Sequence, residues 1–85
     1  MTPIFVWAGK GSIPTRNRTS IEGFYQLIEL ENLPDTGTLL RVLESLQPAA
    51  VGTDDPFLAM QILKAEYTVA TVHDDAWVFT YPTND

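Results

Sequence analysis

Three groups of residues in this 85-residue chain have the types and spacing for chemistry. The first is His73-Asp74-Asp75, which sets the only histidine beside two carboxylates. Imidazole and carboxylate together can ligate a metal or pass a proton. A metal site would also need Asp54 and Asp55 to converge on the same point, and nothing in the spacing brings the two pairs together. No second histidine, cysteine or serine motif completes a nucleophile or general-base system. Aspartates favour turns through local hydrogen bonds, so this group reads as turn chemistry, and no catalytic residue, metal or cofactor is assigned.

The second group is Trp7-Ala8-Gly9-Lys10-Gly11-Ser12, a short glycine loop behind an apolar strand. Backbone amides in such a loop can cradle a phosphate, but a nucleotide P-loop needs its lysine followed directly by Ser or Thr and then a helix. Here Gly11 follows Lys10, and Pro14 comes soon after. Lys10, Arg16 and Arg18 precede every acidic residue and could form one anion-binding surface. That is the alternative reading: a small anion- or nucleotide-binding accessory subunit built on the loop from Gly9 to Arg18.

The third group is aromatic: Tyr67, Trp77, Phe79 and Tyr81. Stacking platforms for bases come with a positive groove, and the flanking sequence is acidic. Core packing is the expected role. If the opposite, smaller face packs inward instead, the aromatics become a protein-binding patch with Trp77 and Tyr81 as anchors.

The elements that must position these groups belong to one small domain, residues 1–85. A chain of this length hides only about 60 to 65% of its unfolded surface, so the core is thin. With 45% hydrophobic residues it can nevertheless fold without a crosslink. There is no cysteine, which points to the cytoplasm, and the apolar run Ile4 to Ala8 is too short for a signal core or a membrane span. The net charge is −6, and from Thr19 onward only Arg41 and Lys64 stand against all eleven acidic residues. Such a surface repels nucleic-acid phosphates and attracts a protein with a basic surface.

Pro3 to Ala8 is a strand without a polar residue on either face, which calls for cover on both. Gly11 to Arg18 lacks periodicity and reads as a loop. Thr19-Ser20-Ile21-Glu22 fits a capping box, and the apolar positions from Ile21 to Leu30 predict a helix despite Gly23. A strand from Gly23 to Leu30 is the rival, weakened by a polar residue on each face. A second helix is expected from Asp35 or Thr36 to about Gln47. Ala49 to Thr53 is a connection. A third helix is expected behind Asp54 or Asp55, with Pro56 in its first turn, ending near Glu66. Tyr67 to Tyr81 then forms a hairpin. With a three-residue loop at His73-Asp74-Asp75, Val69 pairs with Phe79 and Thr71 with Trp77.

The predicted order is β-α-α-α-β-β, an α+β domain whose helices pack on a three-stranded sheet. In that sheet the first strand must lie on an edge, because a tight hairpin keeps its own strands adjacent. An apolar edge is a pairing surface. The expected function is therefore a non-enzymatic protein-interaction module of the inhibitor, immunity-protein or adaptor kind. Its partner-binding residues would be Phe5, Val6 and Trp7 on the edge, Glu22 and Glu29 on an acidic helical face, and Trp77 and Tyr81. A homodimer through the same edge is the self-paired version.

Overall fold

The apolar strand Ile4–Ala8 (β1) sits inside the sheet, with parallel neighbours on both sides. The computed structural model describes residues 2–13, 15–30, 34–73 and 76–81, and for residues 15–17 and 73 the backbone alone. After β1 come α1 (Thr15–Phe24), β2 (Gln26–Leu30), α2 (Thr36–Leu46), β3 (Ala50–Thr53), α3 (Pro56–Lys64), β4 (Thr68–His73) and β5 (Ala76–Thr80). Three helices and one five-stranded sheet make a small α+β domain, with strand order β2-β1-β3-β5-β4. The sheet has five strands and not three, and β1 is not an edge. Gln26–Leu30 and Ala50–Thr53 are the two additional strands, and they flank β1 on its two sides.

The topology dictates the layering. The crossovers β1-α1-β2 and β2-α2-β3 run in opposite directions along the sheet, and right-handed connections then put their helices on opposite faces. Two buried clusters result. On one face Ala8, Val51 and Phe79 pack with Leu39 and Leu43 of α2 and Leu58, Ala59 and Ile62 of α3. On the other, Phe5, Trp7, Ile13 and Ala50 pack with Ile21 and Tyr25, the Phe5 and Tyr25 rings meeting edge to face with centroids 5.7 Å apart. Both faces of β1 are thereby covered, as its sequence requires.

Local sequence accounts for two of the helices. Asp35 accepts from the Thr38 amide at 2.7 Å and caps α2, and Asp55 accepts from the Leu58 amide at 2.9 Å and caps α3 with Pro56 in its first turn. The expected Thr19 cap is overturned, since α1 already begins at Thr15 and ends at Phe24. The rival strand prevails from Gln26. It lies at an edge, where polar Gln26 and Glu29 are tolerated, and α1 stops in time for β2 to pair with β1. Phe24, expected on the buried helical face, is exposed.

The hairpin register is corrected as well. Val69 pairs with Phe79 as expected, but Val72 and not Thr71 stands opposite Trp77, with a bulge between Val69 and Thr71. The strands close at His73 and Ala76, so the expected three-residue loop is shortened by one; Asp74 and Asp75 lie outside the described residues.

Gly52 lies beside the two aromatic side chains of β1 with little room to spare. A methyl group there would lie 2.9 Å from Trp7 Cε3 and 3.1 Å from two ring atoms of Phe5. Gly52→Ala should therefore cost about 1–3 kcal/mol by overpacking, read as a lowered urea midpoint. Gly23→Ala meets nothing within 4 Å and is the control, expected to be neutral or stabilising by up to about 1 kcal/mol.

Candidate functional site

In an open sheet with parallel strands, ligands settle where successive crossovers diverge, outside the carboxyl ends of the strands. Here that place is between β1 and β3, where the loop after Ala8 faces the turn after Thr53. A side chain of the protein already fills it. The Lys10 amide donates to Asp54 Oδ1 at 2.8 Å and the Gly11 amide to Asp54 Oδ2 at 2.9 Å. Gly9 permits the approach, since a methyl group there would lie 2.5 Å from Asp54 Oδ1. Trp7 Nε1 donates to the Gly11 carbonyl at 2.8 Å and holds the loop from its other side. Asp55 caps α3, and its second oxygen lies 3.9 Å from Lys10 Nζ. An anion at this loop would have to displace the Asp54 carboxylate from the two amides.

The remaining basic candidates are placed differently from a single anion surface. Arg18 is ion-paired with Glu29 and stands 3.8 Å from Glu22. The residues expected to attract a basic partner thus share a cation of their own chain. Their hydrogen bond raises the Arg18 pKa and lowers that of Glu29, and the pair ties α1 to β2. The side chain of Arg16 lies outside the described residues. Phe5, Val6 and Trp7 are 3%, 0% and 4% exposed, so the edge surface expected of them does not exist. Trp77 is half-buried against the α2/α3 cluster, whereas Tyr81 is exposed and stacks edge to face on the buried Tyr67.

The open edge is at the far end of the sheet. Among the described residues β4 has β5 as its one strand neighbour, and Thr68 through Val72 are all exposed. Residues opposite one another in a ladder share a face. Val69, facing Phe79, and Val72, facing Trp77, therefore lie on the side of α2 and α3, while Thr71, facing Val78, lies on the side of α1. Without the bulge, Thr71 would take the place of Val72. Helix α3 packs over β3 and β5, and on the same side of the sheet Val69 is 46% and Val72 61% exposed.

The two edges differ in their protection. β2 carries Glu29 in its ion pair with Arg18, a charge that blocks pairing with another chain. β4, with the sequence TVATVH, has no acidic residue, lysine, arginine or proline, and its bulge is its one blunting feature. The sequence reading missed this site because it gave the edge to β1. The signal was present as an uncharged β-branched run between two acidic turns.

Among the described residues no three His, Cys, Asp or Glu side chains group as a metal site, and no helix is long and apolar enough to cross a membrane.

Two outcomes follow from these contacts. Asp54→Ala leaves the Lys10 and Gly11 amides without their acceptor and should cost about 1–2 kcal/mol, measured by urea unfolding. Glu29 and Asp35 have pKa values lowered chiefly by their bonds to Arg18 and to the Thr38 amide respectively. A group whose folded pKa is depressed contributes stability above its ordinary value, and that contribution is lost as pH falls through the lowered one. The Tm should therefore hold steady above the ordinary glutamate value of 4.5 and fall below it, with a shallower acid loss in Glu29→Gln.

Comparison of the chain with protein-family models, with curated proteins and with solved structures finds no match.

Proposed function

We propose that the chain is a non-enzymatic protein-interaction module that adds an extended segment of a partner protein to the open edge of β4. The observation that carries this reading is the exposure of Thr68 through Val72 on a strand with one unpaired side. Strand addition supplies main-chain hydrogen bonds along such an edge, and alternate side chains give specificity. Val69 and Val72 would meet apolar residues on one face of the incoming strand.

Charge favours a partner over a second copy. Glu66 precedes β4, and Asp74 and Asp75 follow it directly in the chain. Two copies paired antiparallel through β4 would set the acidic start of one strand beside the acidic end of the other. A segment with basic residues at its ends meets attraction at both. The turn between β1 and β3, where this topology would otherwise seat a ligand, is occupied by Asp54, which turns attention to the edge. Whether the result is an inhibitor, an immunity protein or an adaptor is a property of the partner.

The test compares wild-type chain with V69K/V72K and V69E/V72E as baits in host lysate at low and high salt, with hydrogen exchange of the recovered complex. Both positions are exposed, so the folded state should shift by no more than about 0.5 kcal/mol per substitution. The expected result is a protein retained at low salt, protection of the β4 amides, and loss of the partner with both double variants. Retention by either folded variant at wild-type affinity, an empty wild-type bait, or protection elsewhere overturns strand addition. A wild-type dimer that V69K/V72K abolishes replaces the basic partner with a second copy.

A further inference from the structure

At the end of the sheet opposite Asp54, the last turn of α2 and the two ends of the hairpin line an open cavity of about 540 Å³. This lies within the range of small-ligand pockets, about 300–1,000 Å³. Its lining includes apolar Leu40, Leu43 and Pro48, aromatic Tyr67 and Tyr81, and acidic Glu44. The two rings meet edge to face, with centroids 5.1 Å apart and planes at 82°, and Tyr67 Oη is anchored by donating to the Pro48 carbonyl at 2.8 Å.

Three features of this cavity favour positive charge, and each has a different physical origin. The C-terminal turn of α2 carries the negative end of the helix dipole, and Leu43, Glu44 and Gln47 of that turn line the cavity. Glu44 adds a full negative charge, and among the described residues no cation is ion-paired with it. Tyr67 and Tyr81 line the cavity, and an aromatic ring attracts a cation over its face through its quadrupole. Among the described residues Gln47 and Glu66 are the non-glycine positions with positive φ, 46° and 73°. Gln47 lines the cavity, and Glu66 lies between Ala65 and Tyr67, which also line it. Both stand at helix C-termini, Gln47 as the left-handed cap of α2 and Glu66 just past the end of α3, where this conformation is a common terminator.

We propose that this cavity binds an organic monocation with an apolar body, an ammonium or guanidinium group on an alkyl stem. The stem packs on Leu40, Leu43 and Pro48, and the charge sits between Glu44 and the face of Tyr81. The same chemistry is presented by a free amine and by a lysine or arginine side chain of a protein. The site is separate from the β4 edge, and its test does not involve that edge.

Hexylammonium, hexanol and hexanoate share one apolar body and differ in charge, so titrating each into the labelled chain by NMR isolates the cation. N-acetyl-lysine and N-acetyl-arginine methylamides represent a partner's side chain. Hexylammonium should shift the Leu40, Leu43 and Ala65 methyl signals and bind at least tenfold more tightly than hexanol or hexanoate. Glu44→Gln should weaken it at least fivefold, and Tyr81→Leu, which keeps the apolar surface, at least twofold. Equal binding of hexanol, unchanged affinity in Glu44→Gln, shifts away from the cavity, or no binding by any of the cations overturns the proposal. Tighter binding of the capped amino acids than of hexylammonium assigns the site to a partner's side chain, and the reverse order assigns it to a free amine.

Discussion

β1 has no face that tolerates water. Phe5 and Trp7 point to one side and Ala8 to the other, and burying both sides requires a helical layer on each. In a chain this short, one layer can come only from α1 and the other from α2 and α3. That division sets the strand order, because helices reach opposite faces only when successive crossovers diverge from β1. Gly52 then becomes necessary, since the aromatic pair beside it fills the space a side chain would need. The loop after β1 must also close against the turn after β3, which Asp54 accomplishes by accepting two amides.

Covering β1 so thoroughly leaves the other end of the sheet thinly clothed. Three helices suffice for the strands near β1 and β3, and α3 reaches as far as β5. On β4, Val69 and Val72 stay largely exposed. The acidic excess contributes less as a uniform surface than the net charge implies. Glu22 and Glu29 share Arg18, while Asp35, Asp54 and Asp55 are committed to backbone amides. Glu44 and Glu66 remain on the surface, at the cavity and beside β4 respectively.

Much of the local structure was legible. The caps of α2 and α3 are short-range interactions between an aspartate and an amide three residues on, and sequence spacing reports them directly. The burial of Tyr67 and Phe79 followed from their size in a thin core. β2 was legible only as the weaker rival to a helix, and β3 not at all. Gln26–Leu30 carries a helical pattern continuous with α1, and Ala50–Thr53 has only four residues, too few for a period to show. Missing them displaced β1 to an edge, and the candidate site moved with it. The bulge that exchanges Thr71 for Val72 was equally hidden, because register depends on pairing and not on composition.

Read from the chain alone, β1 had to be buried on both faces, α2 and α3 had to start at Asp35 or Thr36 and at Asp54 or Asp55, and Tyr67 to Tyr81 had to fold back on itself. Each is a matter of side-chain polarity or of hydrogen bonds between near neighbours. Tertiary structure alone decided which strand lies at the open edge, which carboxylates are spent within the chain, and which residues surround the cavity. Those outcomes rest on contacts between segments far apart in the chain, Lys10 with Asp54 and Pro48 with Tyr67 among them, and local pattern carries no information about them.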